Sequence, residues 1–151
     1  SIKEDGLSNE NMFAFFKQAL LSAGANVYEA ELKNIFLKFA KPTNSFCLSA
    51  FQNGKLQGAV FCAYDKAVCY YLFGGIDKNA EVSGITNLLL HKSIEKAKSI
   101  GCQTFDFEGS MLKGVEKFFR SFGPQLVPYF TINKASLPLE MLLKFKKREL
   151  F

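Results

Sequence analysis

The feature that most constrains the fold of this chain is a change of hydrophobic period partway along it. Up to about residue 39 the apolar residues recur every three to four positions, and from Phe46 to Phe73 they run in short blocks divided by turn residues. Further on, helical spacing returns. Met12, Phe15, Phe16, Ala19 and Leu20 predict a first helix, which Ser8 can cap and Gly24 ends. Leu32, Ile35, Phe36 and Phe39 predict a second over 27–39, stopping before Lys41-Pro42 because the residue ahead of a proline is pushed out of helical geometry. The runs 46–52 and 56–64 read as strands joined by a turn at Asn53-Gly54-Lys55, where glycine supplies positive φ. The run 67–73 reads as a third strand, and Gly74-Gly75 at its end marks a bulge or a close approach of backbone or ligand.

Ser83-Gly84 opens the longest helix, about 85–100, with Ile85, Leu88, Leu89, Ile94 and Ala97 as its apolar stripe and Gly101 as its terminator. A short strand over 104–108 follows, then a short helix over 113–122 closed by Gly123-Pro124. A last strand over 126–132 and a terminal helix capped by Ser136-Leu137-Pro138 complete the pattern. A helix crossing between the third and fourth strands makes those two parallel neighbours, whereas the hairpin strands run antiparallel. The expected fold is therefore α+β with a mixed sheet.

Composition narrows the class. With 48% hydrophobic and 22% charged residues in 151 positions, the chain is expected to form one globular domain, 1–151, and disordered or fibrous architectures are excluded. Seventeen Phe and no Trp predict a core packed with phenylalanine. Nineteen basic against fourteen acidic residues give +5, which favours anionic partners without naming one. Lys134, Lys144, Lys146, Lys147 and Arg148 concentrate the excess near the end, as a solvated face or a surface for an anion. Cys47, Cys62, Cys69 and Cys102 sit singly in apolar runs beside one histidine, so a zinc site is not expected; buried thiols in a reducing cytoplasm are. No run approaches the ~18 apolar residues of a membrane span, and the polar, acidic 1–10 stretch does not read as a signal peptide.

One ordered series of motifs carries more. It runs from Tyr70-Tyr71-Leu72-Phe73-Gly74-Gly75 to Ala97-Lys98-Ser99-Ile100-Gly101-Cys102 at the end of the long helix. Phe105-Asp106-Phe107-Glu108-Gly109-Ser110 comes next, then Gly114-Val115 and Phe118-Phe119-Arg120-Ser121-Phe122-Gly123. In this order the chain, from about residue 46 to 134, resembles the GNAT acyltransferase fold, and more closely its Fem-like branch, which includes the peptidoglycan interpeptide aminoacyltransferases. The resemblance implies a GNAT-like sheet with helices on both faces and a splayed parallel strand pair. It further implies acyl or aminoacyl transfer to an amine, with acyl-CoA or aminoacyl-tRNA as donor substrate and no tightly held cofactor. The acceptor would be a small molecule or a peptidoglycan precursor. Fem-like relatives commonly carry two such domains in tandem, so the chain is also expected to be the C-terminal half of a longer protein. It departs from family patterns twice. Ala80-Glu81-Val82-Ser83-Gly84-Ile85-Thr86-Asn87 has one glycine where many GNAT enzymes have a Gln/Arg-x-x-Gly-x-Gly/Ala loop, which steers the expectation away from plain acetyl-CoA. Phe119 stands where Fem-like enzymes place a lysine.

Amide-forming transfer needs an amine that loses its proton, a carbonyl held in line and donors aimed at the developing oxyanion. The implied slot lies between 70–75 and 104–109. Ser83, Gly84, Thr86 and Asn87, at the start of the long helix, are the candidate phosphate-binding residues, because helix dipole and first-turn amides favour an anion there; an ordinary cap is the competing reading. Glu108 is the candidate base and Tyr129 the candidate acid for the leaving group. Gly74, Gly75, Phe118 and Arg120 are the candidate substrate-binding residues. Asp106 and Glu108, two apart on a strand, are expected to share a face. His91 lies on the flank of the long helix away from the apolar stripe and is expected to be exposed. A non-catalytic binding domain that kept the fold, and an acetyl-CoA-dependent N-acetyltransferase, remain the alternatives.

Overall fold

The structure is a computed structural model that describes residues 1–5, 10–22, 24, 27–80, 82–109 and 113–128. The chain divides into two compact units, Ser1–Glu116 and Lys117–Phe151. In the first, β1 (Ile2–Asp5) is followed by α1 (Glu10–Ser22) and α2 (Glu29–Asn34), then β2 (Ser45–Gln52), β3 (Lys55–Tyr64), β4 (Val68–Ile76), α3 (Ile85–Ser99) and β5 (Thr104–Asp106). The helix α4 (Lys113–Arg120) straddles the boundary. The sheet order is β1-β2-β3-β4-β5, antiparallel throughout except for the parallel β4–β5 pair that the crossover helix α3 creates. The α+β mixed sheet expected from the sequence is the one observed.

Alternation along β2 and β3 splits the core in two. Phe46, Leu48, Ala50, Val60 and Cys62 face α3 and bury Ile85, Leu89 and Ala97. Cys47, Ala59 and Phe61 face the other way, against Met12 and Phe16 of α1 and Leu32 and Phe36 beyond it. The phenylalanine-rich composition is spent on that second face. Phe16 stacks on Phe36 at 5.4 Å and Phe61 on Phe73 at 5.0 Å, with Phe36 within 5.5 Å of Phe73. Helices thus cover both faces.

Several boundaries move for local reasons. The second helix begins at Glu29 and runs on as a π-helical turn, Ile35–Phe39, closed by Ala40 N–H donating to the Ile35 carbonyl at 2.8 Å. Asn53 and Gly54 both take positive φ, 50° and 76°, so the hairpin turn uses two left-handed residues rather than one. The third strand extends to Ile76, which places Gly74 and Gly75 inside it. On α3 the buried residues are Ile85, Leu89, Leu90, Ser93 and Ala97, whereas Leu88, expected in the stripe, is 47% exposed. Ile85, Leu89, Ser93 and Ala97 form an i, i+4 row with Leu90 buried beside it, and Leu88 lies outside that stripe. Strand β1 was not expected at all. Its backbone pairs with β2 from Ile2↔Ala50 to Asp5↔Cys47. The expected strand over 126–132 shows no strand pairing at 126–128, and its remainder, like the expected terminal helix, lies outside the described residues.

Within α4 and the turn after it, Phe118 packs against Phe119 and Phe122, with centroids 5.9 and 5.5 Å away. Gly123 N–H donates to the Arg120 carbonyl to end the helix at a glycine with φ 69°.

Candidate functional site

The pairing of β4 with β5 lasts for three residue pairs, Val68↔Thr104, Cys69↔Phe105 and Tyr70↔Asp106. Beyond Tyr70, β4 runs on to Ile76 still paired to β3 but with no strand on its other side among the described residues. The parallel ladder therefore ends there with β5, and one edge of β4 beyond it has no ladder partner among the described residues.

A bulge sits just past the last β4–β5 pair. Tyr71 is opposite Cys62 and Phe73 opposite Phe61, so Leu72 is the extra residue. Its effect is visible in the side chains: Cys69 and Tyr71 pack on the α3 face, yet Phe73, two residues on, packs with Phe61 on the opposite face. The bulge exchanges the faces of everything after it.

The far end of this edge meets α3. A Cβ on Gly58 would lie 2.8 Å from Ile85 Cγ2 and 3.3 Å from Ile76 Cγ2, which puts the first residue of α3 over Gly58 of β3, with the last residue of β4 beside it. Gly84 is the N-cap, with φ 79° and ψ 6°, a left-handed conformation that glycine adopts without a Cβ penalty. Among the described residues no side chain hydrogen-bonds to cap this end. Thr86 and Asn87 lie in the first turn, where amides have no intrahelical acceptor. The single glycine of this stretch is placed where the backbone requires it.

Gly74 and Gly75, read from the sequence as a place of close approach, are crowded by protein on opposite faces. A Cβ on Gly75 would fall inside the van der Waals shell of Ala19 Cβ on α1, and one on Gly74 would meet the Tyr71 hydroxyl at 2.5 Å and Val60 Cγ1 at 3.0 Å. Tyr71, which sequence reasoning passed over as a site residue, has its phenol pushed up to about 12 by burial, with the Cys62 thiol adding to the shift. The Cys62 thiol is itself pushed up by burial and by its hydrogen bond with Cys69. Cys47, Cys62, Cys69 and Cys102 are all free thiols.

The strand expected over 104–108 stops at Asp106. The Asp106 carboxylate accepts the Glu108 N–H at 2.8 Å, and Glu108 and Gly109 take φ of 59° and 67°. Strand alternation therefore does not reach Glu108, and the shared face expected for the two acids is replaced by a turn. Both still lie near Tyr70, whose phenol is pushed up by desolvation and by Asp65, with Asp106 and Glu108 adding to it. Tyr70 Oη donates to Asp65 Oδ2 at 3.4 Å. The Asp65 carboxylate is held below its usual range by the Ala67 and Val68 amides that donate to it.

The remaining candidates separate. Phe118 and Arg120 belong to the unit beginning at Lys117, where Phe118 is half-buried and Arg120 exposed. Tyr129 lies outside the described residues. His91 is exposed, as expected, with Nε2 3.4 Å from Glu95 Oε1. Among the described residues no cluster of His, Cys, Asp and Glu is arranged to hold a metal, and no helix is long and apolar enough to cross a membrane.

Comparison with known proteins agrees with this geometry. The family described as Acetyltransferase (GNAT) domain matches residues 12–120. A protein from Pyrococcus furiosus superposes with a TM-score of 0.73 at 16% identity, covering 89% of this chain and 99% of that one. A ribosomal-protein-alanine N-acetyltransferase from Brucella melitensis biovar Abortus 2308 gives 0.63 at 13% identity, covering 89% and 99%. An aminoglycoside acetyltransferase from an uncultured soil metagenomic sample, in complex with sisomicin, gives 0.62 at 15% identity, covering 89% and 96%. No curated protein sequence matches significantly. At such identities the structural matches establish the fold, and the family match, over well more than half of the 151 residues, establishes the rest: the chain belongs to the GNAT acetyltransferase family.

Proposed function

We propose that this GNAT domain transfers an acyl group from acyl-CoA to the amine of a small acceptor. One observation carries the reading. The β4–β5 ladder ends at Tyr70↔Asp106, while β4 continues to Ile76, whose side chain lies with Ile85 at the start of α3 around Gly58 of β3. An extended acyl thioester laid along that edge would find backbone donors and acceptors, and its phosphates would meet the positive end of a 15-residue helix. Members of the family use acetyl-CoA as donor, and the aminoglycoside acetyltransferase named above suggests a polyamine sugar as one acceptor class.

In this reading Ser83, Gly84, Thr86 and Asn87 hold the phosphates, Gly74 and Gly75 line the slot, and Phe118 and Arg120 are the residues assigned to binding the acceptor. Glu108 takes the proton from the attacking amine, directly or through a water, and Tyr129 supplies one to the departing thiolate. Holding donor and amine together in one site lowers the barrier by removing the entropy of their encounter. The four thiols remain reduced in a cytoplasmic setting.

A Fem-type aminoacyl transfer, with aminoacyl-tRNA as donor, a peptidoglycan precursor as acceptor and a second domain in tandem, is the second reading. It is favoured by the motif series from Tyr70 to Gly123 and by the single glycine of 80–87. The deciding experiment is a donor-by-acceptor assay, with acetyl-CoA and aminoacyl-tRNA each offered a panel of aminoglycosides, N-terminal peptides and a UDP-linked muropeptide. Thiol release with acetyl-CoA and an amine is the expected result. Transfer from aminoacyl-tRNA alone would replace the first reading with the second, and binding of neither donor would leave a non-catalytic domain.

A further inference from the structure

We propose that Asp106 is a positioning residue for Glu108: its carboxylate closes the turn that takes Glu108 off the end of β5 and sets where that base meets the attacking amine. The inference deepens the acyl-transfer reading, in which Glu108 is the base, and rests on it.

Asp106 is the last residue of β5 and is held by the ladder, opposite Tyr70 in the final β4–β5 pair. Its Oδ1 accepts the Glu108 N–H at 2.8 Å. Phe107, between the two acids, meets the Phe105 ring edge-on at 5.2 Å, and Phe105 packs in turn on the core beneath α3. The two residues ahead of Glu108 are therefore anchored, one by the ladder and one by an aromatic contact. With both fixed, the hydrogen bond from Asp106 decides the backbone of Glu108.

That backbone is an unfavourable one for a glutamate. Glu108 has φ 59°, and among the described residues the other non-glycine with positive φ is Asn53 in the hairpin turn. Left-handed geometry suits glycine, asparagine or aspartate, and a long side chain gains nothing from it. Glycine already follows at 109, with φ 67°. A chain that needed only to turn here would be served by glycine at 108 as well. A glutamate held in that geometry by a neighbouring carboxylate is thus a group kept for its side chain. The residue is exposed, yet its charge lies close enough to Tyr70 to help push that phenol up, so the turn keeps it beside the point where the ladder stops.

Three substitutions separate the turn from the charge. Asp106→Asn keeps an acceptor oxygen at the same reach and removes the charge. Asp106→Glu keeps the charge on a side chain one methylene too long for the turn, and Asp106→Ala removes both. Asp106 is exposed, so none of them disturbs the core; thermal unfolding of each checks this. Activity is read as thiol release from acetyl-CoA, with the amine of the panel above that reacts fastest. Asp106→Ala and Asp106→Glu should lower kcat about 10- to 100-fold, the effect of a reacting group displaced by about an ångström, with KM for acetyl-CoA unchanged. Asp106→Asn should retain most of the wild-type kcat. In a Glu108→Gln background Asp106→Ala should cost nothing further, because the two residues act as one unit. The reverse order, with Asp106→Glu active and Asp106→Asn slow, overturns the positioning role. So does an undiminished loss in the Glu108→Gln background, which a merely structural role would give. A slow Glu108→Gln beside an unaffected Asp106→Ala overturns this proposal alone. Wild-type kcat in Glu108→Gln overturns the base reading, and no turnover by the wild-type chain with any amine overturns acyl transfer, each taking the proposal with it.

Discussion

At the scale of single residues, the fold depends on contacts that leave no room for a methyl group. Gly75 is pressed by Ala19 of α1, and neither atom can retreat easily, because one belongs to a strand paired with β3 and the other to a helix packed through Met12 and Phe16. Gly75→Ala should therefore destabilise by about 1–3 kcal/mol, the usual range for overpacking, which lowers Tm by several degrees in a chain of this size. Ala19→Gly alone costs about 1 kcal/mol through helix propensity. Combined with Gly75→Ala, it removes the opposing Cβ and should return part of the loss. Thermal unfolding of the two single variants and the double variant measures this coupling, and strictly additive losses would show that the crowding lies elsewhere. Gly74, one residue earlier, is crowded from the other face by the Tyr71 hydroxyl and Val60.

At the scale of elements, what the sequence disclosed depended on whether the signal was local. The order of two helices, a three-strand meander, a crossover helix and a short parallel strand follows from period changes and turn residues. The start of α3 at Ile85 was legible from Ser83-Gly84 in the same way. Strand β1 was not, because Ile2-Lys3-Glu4-Asp5 offers one apolar residue. What holds it is remote: the β2 ladder, Lys3 5.3 Å over the Phe51 ring, and Glu4 paired with Lys96 at 2.8 Å. Likewise, nothing in Tyr70-Tyr71-Leu72-Phe73 says which residue is extruded, since the bulge is decided by pairing with β3. The turn at Glu108 was hidden for a subtler reason, as Asp106 was read for its alternation while its capacity to close an Asx turn determined the geometry. The α3 stripe gives a direct measure of such an error. Leu89 is 1% exposed and Leu88 47%, so Leu89→Ala should cost about 2–5 kcal/mol and Leu88→Ala well under 1 kcal/mol. Urea denaturation separates the two, and equal losses would restore Leu88 to the core.

At the scale of the whole molecule, net charge and buried acids act on stability in different pH ranges. The isoelectric point near 9.0 means that electrostatic self-repulsion is smallest there, so a loss of stability setting in just above it has another origin. Cys62 and Tyr71 supply one. Both are acids whose neutral form is favoured by burial, so their folded pKa values lie above the unfolded ones. Between the two values the folded chain holds a proton that the unfolded chain has lost, and stability falls as pH rises. For Tyr71 the window runs from about 10 to about 12, and a shift of that size corresponds to about 2–3 kcal/mol; for Cys62 the fall begins near 9.0. Tyr70, shifted in the same direction, adds to the slope. Thermal unfolding across pH 8–12 should thus show a Tm that declines on the alkaline side, and Tyr71→Phe should decline less steeply above pH 10 without matching a flat line, because Cys62 and Tyr70 remain. Parallel declines for the two chains would mean that the phenol is as well solvated when folded as when unfolded.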